Sequence, residues 1–293
     1  MLVLLVPLVV IPVVLLFGYA GCNQVFGLDP TTLNFTPINV EAEGESIESI
    51  RISWAKASSE PVTFKLFRIT PGSEAEFTTD ATEYLDTGLT PNTEYTYEVL
   101  AIRTDDFRES DRSESATGRT LDFMPAFSAT LTTDQAGIGG FCLVQRIEPV
   151  RLVRSGSKVR LVLQGSTAGN LLIDRATISQ VATGGNVYDS AVDLVEIATA
   201  VSIPAGQIVE LPVVTYTLDQ TKPLLVAFDI SPTAGMGNVR FVNPVPATDA
   251  SMHFRAATAE AGIQDRLPSA ANPGAPPYNA STSIYLVQRI DVG

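Results

Sequence analysis

Apolar side chains in this chain recur at every second position, in runs too short for helices, and turn residues cut one run from the next. Ile50, Ile52 and Trp54 alternate with Arg51 and Ser53; Phe64 and Leu66 alternate with Thr63 and Lys65; Tyr95, Tyr97, Val99 and Ala101 alternate with Thr96, Glu98 and Leu100. A period of two sends successive side chains to opposite faces of a strand, so each run has one buried and one wet face. Pro71-Gly72, Asp86-Thr87-Gly88 and Pro91-Asn92 separate the runs with the residues that supply turn dihedrals. Farther on, Val159, Leu161 and Leu163 alternate with Lys158, Arg160 and Gln164, and residues 201–204, 208–214, 224–230 and 239–242 are further strand candidates. No long amphipathic helical pattern is present, and only 256–263 reads as one short helix. The expected fold class is all-β.

With 293 residues, 45% of them apolar and 17% charged, the chain has material for two domains with cores of their own. Composition and turn spacing place a first domain at 33–121 and a second at 125–293, joined by a short junction. The net charge is −13, and the acidity is uneven: residues 31–121 carry 8 basic and 17 acidic side chains, residues 122–293 carry 11 and 14. No basic stripe is present, so a nucleic-acid partner is excluded on charge. The acidity itself reads as solubility.

No charged side chain precedes Asp29, and residues 2–17 are apolar throughout. Such a stretch predicts an N-terminal apolar leader helix, long enough for a membrane anchor and of the size of a signal-peptide core. The small residues of Tyr19-Ala20-Gly21-Cys22 resemble the lipobox of bacterial lipoproteins. The resemblance implies lipidation of Cys22, a leader at 1–22, a linker at 23–32 and an exported protein held at a membrane or cell surface. Tyr19 departs from the leucine of that motif, and no Lys or Arg stands before the apolar stretch; a plain transmembrane anchor is the alternative.

Leu89-Thr90-Pro91-Asn92-Thr93-Glu94-Tyr95 resembles the L-x-P-x-T-x-Y signature of fibronectin type III modules. The resemblance covers the first domain and implies an Ig-like sandwich in which Tyr95 turns the corner into the sixth strand, Trp54 anchors the core from the second, and 115–120 closes the fold. Leu89, Pro91, Tyr95 and Trp54 are then structural. No Arg-Gly-Asp occurs. The charged loop 103–113 reads as a solvated face.

The second domain resembles, in general terms, the β-sandwich modules of bacterial surface proteins and phage tails, and a jelly-roll-like sandwich is expected. The segment 143–148 (Leu-Val-Gln-Arg-Ile-Glu) recurs at 286–291 as Leu-Val-Gln-Arg-Ile-Asp. If the two copies pair, Arg146 and Glu148 face Asp291 and Arg289 across a ladder; chance similarity is the other reading. The Pro-rich stretch 268–283 is a candidate binding loop, with Tyr278 and Asn279 as its candidate residues. Tyr278 either offers a stacking face for a sugar or packs down onto the domain. Asn34-Phe35-Thr36 and Asn279-Ala280-Ser281 match glycosylation sequons, which a bacterial leader would leave without meaning.

Catalytic chemistry finds little to stand on. The chain has one histidine, His253 in Ser251-Met252-His253-Phe254, and two cysteines, Cys22 and Cys142. Zinc needs more His and Cys than that, no nucleophile elbow is present, and no P-loop, dinucleotide-binding or EF-hand motif occurs. Cys142 reads as a buried strand residue. No cofactor and no metal are expected. The reading is a non-enzymatic cell-surface adhesion lipoprotein whose ligand is a glycan or a protein. The alternatives are a spacer in a virion tail or surface assembly and, more distantly, a glycoside hydrolase or its accessory module.

Overall fold

A computed structural model describes residues 34–270 and 272–293. The leader, Cys22 with its lipidation, and the linker 23–32 lie outside the described residues. The chain divides between Thr120 and Leu121 into two compact units. Among the described residues the regular structure is β-strand, with a single 3-10 turn at Pro149–Arg151, and no helix is long and apolar enough to cross a membrane.

The first unit has seven strands: β1 Ile38–Ser46, β2 Ser49–Ala55, β3 Val62–Thr70, β4 Ser73–Thr79, β5 Glu83–Thr87, β6 Glu94–Arg103 and β7 Ala116–Arg119. They form a three-stranded sheet, β1-β2-β5, and a four-stranded sheet, β4-β3-β6-β7. All pairings are antiparallel. Alternation delivers Ile50, Ile52 and Trp54 from one sheet and Phe64, Leu66, Tyr97, Val99 and Ala101 from the other into a single core. Trp54 meets Phe64 edge to face, with ring centroids 5.3 Å apart, a geometry that adds to its burial. Tyr95 turns the corner: its hydroxyl accepts the Thr90 amide at 3.0 Å. This strand order and this corner make the unit a fibronectin type III-like sandwich. In loop 103–113, Arg103 pairs with Asp105, Glu109 with Lys65, and Arg112 with Glu74 and Glu98.

The second unit runs from β8 Met124–Ser128 and β9 Thr133–Gln135 through β10 Phe141–Ile147, β11 Gly156–Gln164 and β12 Leu171–Gln180. It continues with β13 Val195–Ile203, β14 Ile208–Glu210, β15 Val214–Leu218 and β16 Leu224–Ile230. It ends with β17 Val239–Val242, β18 Ala250–Ala256, β19 Asn279–Ser281, β20 Ile284–Tyr285 and β21 Val287–Val292. A six-stranded sheet, β13-β12-β16-β10-β18-β19, packs against a sheet of order β14-β11-β21-β8 in which β15 also pairs with β11; β20-β17-β9 form a third. The core between the large sheets holds Leu143 and Ile147 of β10, Leu161 and Leu163 of β11, Val226 and Phe228 of β16, and Val287 and Ile290 of β21. This is an all-β, multi-sheet sandwich.

Three expectations are corrected here. The echoed segments do not pair: 143–147 lies in β10, between β16 and β18, whereas 287–291 lies in β21, between β11 and β8. Each copy instead makes its own local pair, Arg146 Nε to Glu148, one residue past β10, at 2.5 Å and Arg289 Nε to Asp291 within β21 at 2.7 Å, because residues two apart along extended chain share a face. The first and last strands of the unit are neighbours nonetheless, β8 against β21. Residues 256–263 form no helix: the amides of Glu260 and Ala261 go to Asp229 Oδ1 and not to carbonyls one turn back, and Ala259 has φ +65°. The loop 268–283 is structured at its far end, where β19 pairs with β18.

Candidate functional site

Strand β16 reads Leu-Leu-Val-Ala-Phe-Asp-Ile and is buried at every position. A strand wet on one face would alternate; this one does not, so both of its faces are covered. Leu224, Val226, Phe228 and Ile230 point into the main core. Leu225, Ala227 and Asp229 point the other way, and Leu225 and Ala227 join Cys142, Val144, Tyr188, Ala261 and Tyr278 in a second apolar cluster. Tyr188 comes from the loop between β12 and β13. Ala261 and Tyr278 come from the long connection between β18 and β19. Two loops thus roof the outer face of the six-stranded sheet.

The roof is fastened by charge. Asp229 is 2% exposed, and its Oδ1 accepts the Glu260 and Ala261 amides at 2.9 and 3.0 Å. Its Oδ2 is buried without a hydrogen-bond partner among the described residues. Burial pushes this carboxyl above its ordinary range, against the pull of the two amides. Glu260 spans the space above: Oε1 accepts from Arg255 and Oε2 from the Tyr278 hydroxyl, both at 2.5 Å. Burial raises the Tyr278 hydroxyl and holds the Cys142 thiol up at about 12, so both stay protonated at neutral pH.

Arg266 is fully buried. Its guanidinium donates to the carbonyls of Tyr188 (2.5 Å), Ala261 (2.9 Å) and Glu260 (3.1 Å) and to Ser190 Oγ (3.0 Å). Its own amide donates to Asp189 Oδ1 at 2.9 Å. One side chain therefore staples both loops. Carbonyls and one hydroxyl thus satisfy its donors. Ser190 N to Gln264 O (2.9 Å) and Asn186 Nδ2 to Pro268 O (2.9 Å) complete the seam.

Above this seam the loops part into a cleft of about 950 Å³, its walls supplied by residues 182–186 and 189–192 and by Gln264, Asp265, Pro268, Ser269, Ala270 and Pro273. The near wall turns tightly around Asp189, which accepts the Asn186 amide at 2.6 Å. A side chain at Gly185 would have to displace Asp189, because its Cβ would stand 2.8 Å from Asp189 Oδ2.

The expected candidate loop contributes the far wall through its first residues. Tyr278 itself goes under the roof: it is buried, with one neighbour Tyr188 at 4.6 Å between ring centroids and another the Arg255 guanidinium at 5.4 Å. Of the two readings of Tyr278, packing onto the domain is the one observed, with the hydroxyl donating to Glu260. Asn279 is exposed in β19, opposite Phe254. His253 is buried on the same sheet face, with Nε2 3.1 Å from Ser251 Oγ and its ring beside Tyr188. Burial first, and the Arg146 charge second, lower its pKa to about 4. A neutral imidazole beside a cation is the reverse of the carboxylate-supported base of a hydrolase triad. No group of three or more His, Cys, Asp or Glu able to hold a metal occurs among the described residues.

Sequence reading missed Arg266, Asp189 and Asp229. Only Asp229 left a signal, as the single acid in an apolar run of seven; the other two act through residues about 80 positions apart, which no local spacing reveals.

No protein-family model matches the chain, and no curated protein matches it. Among solved structures, the FN5 domain of Drosophila Lar is similar at 24% identity, covering 30% of this chain and 98% of that one, with a TM-score of 0.26. A Fn3-like protein from Clostridium thermocellum is similar at 22% identity over 30% of this chain and 94% of its own, TM-score 0.25. The FN1-FN3 domains of chicken CNTN1 match at 13% identity, over 87% and 68% of the two chains, TM-score 0.29.

Proposed function

We propose that this chain is an exported, non-enzymatic binding protein, held at a membrane or cell surface by its N-terminal leader through a lipid on Cys22 or as an anchor. The fibronectin type III-like unit is its spacer and the second unit its binding head. The observation that carries the reading is the cleft over the stapled loops. Its walls are fixed by buried hydrogen bonds before any ligand arrives, so little ordering entropy is left to lose on binding. The ligand class is a glycan or a protein segment.

Two experiments test the reading. In a bacterial host the wild-type chain should fractionate with membranes and carry a lipid mass that Cys22→Ala lacks; an intact mass retaining Met1 without lipid leaves only the plain anchor, and a chain in the soluble fraction overturns surface attachment. The full chain, probed on glycan and peptide arrays, should bind at least one class; binding to neither removes the binding head and favours a spacer in an assembly.

A further inference from the structure

The first unit leaves one aromatic ring in water. Phe107 is 77% exposed, whereas every other Phe, Tyr and Trp among the described residues is buried or half-buried. It stands in the left-handed region at φ +58°, where a bulky side chain is strained and Gly or Asn is the usual occupant. The loop tip that carries it is held closed: Phe107 N donates to Arg103 O at 3.1 Å, Arg103 N to Arg108 O at 3.0 Å, and Thr104 N to Pro61 O at 3.1 Å. The turn would close more easily without the ring, and backbone strain of this kind collects at functional sites.

The second unit has a recess of matching size. Segment 149–153 is pinned along β8 by Val153 N to Ala126 O and Arg151 Nη2 to Ser128 O, both at 2.9 Å. Between segment and strand lies a recess of about 160 Å³, with Pro125, Phe127, Val150 and Val153 among its lining residues. An apolar cavity of roughly 150 Å³ accepts one benzene ring. Val150 and Val153 are 68% and 69% exposed, so no side chain of their own unit covers the recess. Charges of both signs flank the two features. Around the ring stand Asp105, Asp106 and Arg108, the last with no ion pair among the described residues; beside the recess stand Asp249, which Arg151 Nη1 reaches at 3.3 Å, and Arg154, which has no ion pair either. Each feature thus offers the other a cation and a carboxylate.

We infer that Phe107 of one copy seats in this recess of a second copy, so that the chain self-associates head to tail. The inference does not rest on the cleft or its ligand, and it gives the first unit a task beyond spacing. The contact joins two different surfaces, so each bound copy keeps a ring or a recess free, and the series grows into a ring or an open filament.

The test follows the full chain in detergent by sedimentation velocity over a wide range of concentration. The wild-type mass should rise with concentration past that of a dimer. Phe107→Gly, and separately Val150→Asp with Val153→Asp, should each abolish the rise, and Arg154→Glu should weaken association severalfold. All four positions are exposed, so melting temperatures should stay at the wild-type value, or above it for Phe107→Gly, where the strain is relieved. An equimolar mixture of the ring variant and the recess variant holds one intact recess and one intact ring, so it should associate again and stop at the dimer. A wild-type chain that stays monomeric, association left unweakened by any one of these variants, or a mixture that stays monomeric overturns the inference. A lower melting temperature for Phe107→Gly makes the ring part of the fold and overturns it as well.

Discussion

Asp86 in the first unit and Asp229 in the second are equally buried, each 2% exposed, and they are treated in opposite ways. Asp86 accepts Arg68 Nη1 on both oxygens and the Tyr97 hydroxyl on one, all at 2.9 Å, so charge and lone pairs are met inside one sandwich. Asp229 accepts two backbone amides on one oxygen and nothing on the other. A carboxylate paired with a cation holds strands that alternation had already placed. A carboxylate paired with amides fastens a loop that Arg266 and the outer apolar cluster also hold. The first unit spends its buried charge on its own framework, the second on fastening a surface.

The strongest test of that contrast compares an apolar anchor with a charged one. Trp54→Ala should cost about 3–5 kcal/mol, as large-to-small core changes do, and should melt the first unit as a whole in urea. Trp54 is the one tryptophan, so the native chain should emit at the short wavelength of buried indole. Arg266→Met should cost a similar amount, about 3–5 kcal/mol, by orphaning three buried carbonyls and the Ser190 hydroxyl. Here amide exchange should rise first in 183–190 and 257–266 while β16 stays protected. Simultaneous loss of protection in β16 would show that the roof is not a separate cooperative element.

Substituting the two aspartates sharpens the comparison. Asp86→Asn should cost about 2–3 kcal/mol, since it strips the partner from a partly buried Arg68. His253, on the roofed face, should make stability depend on acid. Its folded pKa of about 4 lies below the ordinary 6.5, so the unfolded chain binds the extra proton. Stability from this group is complete above pH 6.5 and is lost as pH falls towards 4, about 2 kcal/mol after discounting for solvent. His253→Gln should flatten that slope in urea titrations. Asp229→Asn should have the smallest effect and the opposite sign. Its amide oxygen still accepts both backbone N–H groups, and the cost of burying charge disappears. A raised carboxyl loses stability as pH rises through its folded pKa, so the gain should appear near neutral pH and vanish in acid. A loss there as large as that of Asp86→Asn would erase the distinction between the two.

The first unit was legible because each of its strands is specified locally: alternation at Ile50–Ile52–Trp54, turn residues at Pro71-Gly72, and a corner whose tyrosine bonds only five residues back. The second unit yielded β16 and β17 at their observed bounds, since short apolar runs announce buried strands. Pairing was not legible. The echoed segments each bury one face in the shared core, and either sheet satisfies that demand, so likeness of sequence said nothing about neighbours. Nor could Tyr278 be placed from its Pro-rich surroundings, because what draws it inward is Glu260, itself held by Arg255. The cleft depends on contacts between segments far apart in the chain, and the sequence carries only the composition of its walls.

The pairing of β8 with β21 has a consequence for how the protein is made. During synthesis the first unit has all seven of its strands once Arg119 has emerged, and it can fold behind the ribosome at once. The second cannot. Its opening strand waits for Val287–Val292, more than 150 residues later, and until then β8 and the β11 flank that β21 will occupy are open edges. Export before folding would carry those edges across a membrane unpaired, so holding factors or slow translation should matter for this half of the chain and not for the other.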